Sequence, residues 1–223
     1  DYGRSRGLGD VYKRQITDIF IVALRIPNIF RRITAEGAFS AAFIPMFSKK
    51  LISNKISAIK FSEDILFMSL IIMISLTSVL QIFMPFFIFF IAYGFTNDPI
   101  KYDLAINFSR ITAPYILLIS LSSIGIAILN SLGRYFASSL GPVIFNAVLV
   151  FILILPINNI SSMGYLLSFG VTFSGVIQFL LVFYFLSKSG YKLNLRKPEN
   201  LNLINKFSTI ARPQIITGLA VQA

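Results

Sequence analysis

Residues 65–97 read ILFMSLIIMISLTSVLQIFMPFFIFFIAYGFTN, with Asp64 before them, Asp98 after them, and no charged side chain between. A helix that crosses a bilayer needs about 20 predominantly apolar residues. This run is long enough, and it is not alone. No charge lies between Arg110 and Arg134, which leaves room for one span, or between Arg134 and Lys188, which leaves room for two divided by the turn at 156–164. The whole chain is 56% hydrophobic and only 13% charged over 223 residues. A soluble domain carries about a quarter of its residues as charges, and a globule of this size cannot hide the excess apolar surface. The fold class is therefore all-α, a polytopic transmembrane bundle.

Working outward gives six segments: 17–47, 62–93, 103–132, 138–155, 163–187, and 201–223, which stops within a helical pattern. Pro85 and Pro114 fall inside spans, where neighbouring side chains can satisfy the carbonyls that proline frees. Small residues recur on these helices (Gly37 to Ala42, Ser120 to Ala127, Gly170 to Gly175) and permit close packing. Residues 1–15 are different, being polar and glycine-rich. They lack the apolar core of a signal peptide. Asp10 to Gln15, DVYKRQ, can be encoded by GATGTGTATAAGAGACAG, which resembles a transposon end used in sequencing-library preparation. On that reading the segment is foreign and the helical domain is 16–223.

The net charge is +11. In a soluble protein this would suggest nucleic acid. Here the cations sit in short loops: Lys49, Lys50, Lys55 and Lys60 in the first, Arg134 in the third, and Lys188, Lys192, Arg196, Lys197 and Lys206 in the fifth. The second loop has Asp98 and a single lysine, and the fourth has no charge. The positive-inside rule places the odd loops in the cytoplasm, where they also meet anionic lipid headgroups. The Asp18 end of the first span then lies outside, which calls for an earlier span. With no Cys and no His, the chain has no thiolate nucleophile, imidazole base or usual zinc ligand set. Nothing implies a cofactor or an enzyme.

The first span is unusual. TDIFIVALRIPNIFRRITAEGAFSAAFIPMF holds Asp18, Arg25, Arg31, Arg32 and Glu36 among apolar neighbours. Charges at bilayer depth cost about 2.5–3.5 kcal/mol each on insertion scales and persist where they face a cavity or a bundle interior. At 100° per residue Asp18, Arg25, Arg32 and Glu36 fall within about 40° of each other, with Arg31 about 140° from Asp18; Pro27 disturbs that phase. Either the arginines snorkel to headgroups, or they line a cavity for an anion, since a guanidinium fork matches phosphate oxygens.

Residues 18–45, DIFIVALRIPNIFRRITAEGAFSAAFIP, closely resemble the second transmembrane helix of the MurJ/MviN family of lipid II flippases. Pro114 to Asn146 is similar to the family too, with Arg134 and Pro142, and Gly175 to Gln178 and Pro213 to Ile216 are weaker echoes. The resemblance implies part of the N-terminal lobe of a two-lobe flippase of the multidrug/oligosaccharidyl-lipid/polysaccharide exporter superfamily. It implies lipid II, an undecaprenyl-diphosphate-linked precursor, as substrate, moved from the cytoplasmic to the periplasmic leaflet. By position, Asp18 and Arg31 match acidic and basic residues of the family's central cavity. Arg25, Arg32 and Glu36 match its motif. An exporter of another lipid-linked sugar, a drug exporter and a membrane scaffold are the competing readings. A lipid-phosphate enzyme is disfavoured, since no base, nucleophile or metal cluster lies in the other spans.

Overall fold

Asparagine and aspartate side chains open three of the helices. In the computed structural model, which describes residues 2–35, 38–157 and 159–198, Asn54 accepts from the Ile56 amide at 2.9 Å, Asp98 from the Lys101 amide at 3.2 Å, and Asn159 from the Ser161 amide at 3.0 Å. Each removes an otherwise unsatisfied N–H at a helix start. The elements are α1 (Tyr2–Ala35), α2 (Ala38–Ser53), α3 (Lys55–Ile91), α4 (Pro99–Thr112), α5 (Pro114–Ser131), α6 (Phe136–Ile154) and α7 (Ile160–Lys188), with one 3₁₀ turn at Tyr93–Phe95. Gly133 and Gly190, at φ of +73° and +80°, stop α5 and α7. The left-handed backbone lets Arg134 N–H reach Leu129 O and Tyr191 N–H reach Leu186 O, closing both C-termini.

The described residues contain helix and no strand. Among the described residues, four helices are long and apolar enough to cross a membrane: α3, α4 with α5 as one 33-residue unit, α6, and α7. The expected spans 62–93, 138–155 and 163–187 coincide with most of α3, α6 and α7. The segment expected over 17–47 is helical in its described parts, α1 up to Ala35 and α2 from Ala38, with 36–37 outside the described residues, and α1 extends back to Tyr2. The expected span 201–223 lies outside the described residues.

Helix α7 is the hub, packing most extensively against α5 and α6 and also touching α1 and α4. Glycines permit this. A Cβ at Gly125 would stand 2.5 Å from Val182 Cγ1, and one at Gly175 2.7 Å from Tyr115 Cδ2. The apolar window of α4–α5 is 72% buried, whereas that of α6 is 11% buried and shows Phe151, Leu153 and Ile154 to the surroundings. Rings and branched chains exposed in such number suit lipid contact and not water.

Pro27, Pro85 and Pro114 each free a carbonyl that finds a donor on another helix. Proline has no N–H to give the carbonyl four residues back. For Pro27 that carbonyl is Ala23 O, which accepts from Thr112 Oγ1 at 3.1 Å. For Pro85 it is Gln81 O, which accepts from Arg110 Nε at 3.2 Å. For Pro114 it is Arg110 O, which accepts from Gln81 Nε2 at 2.7 Å. Gln81 and Arg110 thus satisfy one another's backbone across α3 and α4. The bend in α3 shows at Phe83, whose φ and ψ of −95° and 16° are not helical.

The basic loops gather at one end. Arg134 Nη1 donates to Ser189 Oγ at 2.5 Å, Lys55 Nζ lies 4.6 Å from the Tyr191 ring centroid, and Lys50 Nζ lies 5.7 Å from that of Phe61. At the same end Arg196 clasps two buried carboxylates, with Nε 2.5 Å from Glu63 Oε2 and Nη2 3.3 Å from Asp64 Oδ1. The Asn194 amide donates to Glu63 Oε1 at 2.9 Å. Ile16 meets the start of α7 at Gly164, so the Asp18 end of α1 lies beside the uncharged fourth loop.

Candidate functional site: an arginine-bearing recess

Helix α1 distributes its charges to different surroundings. Asp18 and Arg25 are exposed. Arg25 Nη1 donates to Ile91 O at 3.3 Å, at the C-terminus of α3, where the helix dipole favours a cation. Arg31 is half-buried and contributes to the wall of a recess of about 100 Å³. The other walls come from Tyr115 and Ile119 of α5, Ser138, Pro142 and Phe145 of α6, and Gln178 of α7. Asp18 and Arg25 are not in this lining. Thirteen positions of α1 separate Asp18 from Arg31, about 20 Å of helical rise, so the two do not share one small pocket. The side chains of Arg32 and Glu36 lie outside the described residues.

The recess exists because of the packing around it. Tyr115 is 1% exposed and packs against Gly175, where a side chain would collide with its ring. Its ring lies 5.8 Å from that of Phe145, so aromatic faces flank the polar side chains. Gln178 is 4% exposed. Gly141, beside it, offers no side chain; a Cβ there would stand 3.2 Å from Gln178 Oε1. The recess thus sets a guanidinium, a carboxamide and a hydroxyl against aromatic and aliphatic walls.

Sequence reading chose α1 but did not identify the partners of Arg31 on the other helices. Tyr115, Pro142 and Gln178 fall within the stretches resembling the flippase family, and Gln178 is a polar residue in a long charge-free run. That last signal was available. Arg110 and Asp64 were read only as the edges of two apolar runs, and Glu63 was not singled out; all three have defined partners.

Long apolar helices joined by short loops, with a cation admitted between them, define a multi-pass helical membrane protein. The family model for the lipid II flippase MurJ matches residues 12–223. A probable lipid II flippase MurJ of Rhizobium meliloti (strain 1021) is 34% identical over 208 residues, covering 91% of this chain and 39% of that protein. The lipid II flippase MurJ of Burkholderia cenocepacia is 33% identical over 168 residues, covering 75% of this chain and 33% of that protein. A solved structure, the lipid II flippase MurJ in an inward closed conformation, superposes with a TM-score of 0.72 at 22% identity, covering 92% of this chain and 41% of that one. The chain belongs to the MurJ family, a family of bacterial multi-pass membrane proteins, and it spans about a third to two fifths of the length of these relatives.

Proposed function

We propose that this chain is part of a lipid II flippase and that the recess walled by Arg31 receives the substrate's diphosphate. The substrate, lipid II, would pass from the cytoplasmic to the outer leaflet of the bacterial inner membrane as one helical lobe rocks against another around a site within the membrane. The observation that carries this reading is the position of Arg31. It is a half-buried cation in a membrane helix, turned into a recess between α5, α6 and α7. A guanidinium there supplies paired donors to phosphate oxygens. The family names of the relatives supply the substrate class. Arg25, at the end of α3, supports helix packing in this reading. Asp18 stands at the outer end of the same path, while Arg32 and Glu36 complete the charged motif.

Complementation of a flippase-depleted strain by variants of the full-length protein tests this, with membrane levels checked by blotting. Arg31→Ala abolishes rescue. Arg31→Lys keeps the charge but loses the fork and impairs it clearly. Normal growth with Arg31→Ala at wild-type levels refutes the assignment, and loss confined to Arg32→Ala transfers it to that neighbour. Full activity of Arg31→Lys beside inactive Arg31→Ala would indicate a headgroup anchor, since lysine snorkels as well as arginine.

A further inference from the structure

Helix α7 buries three polar side chains: Ser168, Ser174 and Gln178. The two serines are satisfied within the helix, Ser168 Oγ donating to Gly164 O at 2.8 Å and Ser174 Oγ to Val171 O at 2.7 Å. Gln178 is not. Its Nε2 is fully buried and has no acceptor. Buried amides without partners are rare, and each one calls for an explanation. Other buried oxygens without partners, on Thr77, Ser109, Ser120 and Asn130, do not line the recess that holds Arg31; Gln178 does.

The local sequence keeps the carboxamide in place. Gly141 leaves the space that Gln178 Oε1 approaches, and a Cβ at 141 would press on it at 3.2 Å. Tyr115, Pro142 and Phe145 provide the apolar walls. An amide nitrogen can only donate, so whatever completes it must bring an acceptor oxygen. Among the described residues of the recess, the other nitrogen-bearing side chain, the Arg31 guanidinium, also offers only donors. Two donor side chains from α1 and α7, with no carboxylate among the described residues of the lining, favour an oxyanion over a cation or an apolar guest.

We propose that Gln178 is a substrate-positioning residue whose carboxamide Nε2 donates to a phosphate oxygen of the lipid-linked diphosphate. This rests on the reading that the recess receives that group. It adds a neutral donor on α7 to the cation on α1, so that the ligand bridges two helices.

The test is binding of undecaprenyl diphosphate to the purified full-length protein in detergent, measured by microscale thermophoresis beside a thermal-unfolding scan of each variant. Gln178→Leu and Gln178→Met preserve volume and delete the donor. Both should weaken binding about tenfold, the scale of a hydrogen bond to a charged group. Their unfolding midpoints should stay level or rise, because an unpaired buried amide has been removed. Gly141→Ala, which leaves the donor but displaces the carboxamide, should weaken binding in the same direction by less. Wild-type affinity in both Gln178 variants, with Arg31→Ala weakened, overturns the role of Gln178 and leaves the recess as the anion site. Wild-type affinity in all the variants, Arg31→Ala included, removes the recess reading itself. A fall in the unfolding midpoint with unchanged affinity shows Gln178 to be structural and also overturns the proposal.

Discussion

Replacing Arg196 by alanine exposes how much of this bundle depends on a single loop residue. Glu63 and Asp64 sit in α3 with side chains 6% and 4% exposed, and Arg196, 24% exposed, reaches both. Its Nη2 also donates to Lys60 O at 3.4 Å. Deleting the guanidinium withdraws the shared cation from two adjacent buried carboxylates, while the Asn194 amide still donates to Glu63. Breaking a buried ion pair from one side costs about 3–5 kcal/mol, because the surviving charge is uncompensated. At about 2–4 °C per kcal/mol for a chain of this size, the unfolding midpoint should fall by roughly 10 °C. The assay is fluorescence-detected size-exclusion chromatography of detergent-solubilised, heat-challenged protein. Arg196→Lys, a compact ammonium that cannot span both acids, should fall about half as far. In the Glu63→Gln, Asp64→Asn background, Arg196→Ala should be nearly silent, since neutral amides need no counter-charge. A fall of under about 2 °C for Arg196→Ala, or an equal fall in the amide background, would refute the argument.

Three further outcomes follow from the same structure. Single cysteines at Ser53 and Asn159 in the full-length, otherwise cysteine-free protein should label oppositely in intact cells with a membrane-impermeant thiol reagent, Ser53 protected and Asn159 accessible; the reverse pattern overturns the orientation drawn from loop charge. Gln81→Leu withdraws the donor to Arg110 O and should cost about 1 kcal/mol, the scale of hydrogen bonds between membrane helices, read as a lower heat-challenge midpoint; no shift would show the exchange to be idle. The 223-residue chain alone should not rescue a flippase-depleted strain, because rocking access needs two lobes; rescue would contradict that mechanism.

The membrane helices were legible because the signal is local. A run such as 65–97, without charge and longer than a bilayer is thick, has few other ways to satisfy its backbone. The extension of α1 back to Tyr2 was not legible, since residues 2–15 are polar and glycine-rich. Helix phase singled out Arg32 with Asp18 and Arg25, whereas the resemblance favoured Arg31. The structure sets Arg31 in the recess wall and leaves Asp18 and Arg25 outside it, while the Arg32 side chain lies outside the described residues. Phase describes a helix alone, whereas a recess is made by its neighbours: Tyr115, Phe145 and Gln178 come from three helices whose approach depends on glycines far away in sequence. The burial of Glu63 and Asp64 was hidden for a similar reason, because their partner lies more than 130 residues later.

The exchange of carbonyls among the prolines has a consequence for how such a chain can change over time. Restoring a residue with an N–H at 85 would reclaim Gln81 O for its own helix and displace Arg110. The same substitution at 114 would reclaim Arg110 O and displace the Gln81 carboxamide. A cation held at bilayer depth is tolerated only while it has a partner, so losing Pro85 first is harmful in a way that losing it after Arg110 is not. Pro85, Gln81, Arg110 and Pro114 are therefore coupled through these two hydrogen bonds, so the order of substitutions among them matters. Lineages should keep the quartet whole or abandon it whole, and the Pro27–Thr112 pair makes a second, smaller unit of the same kind.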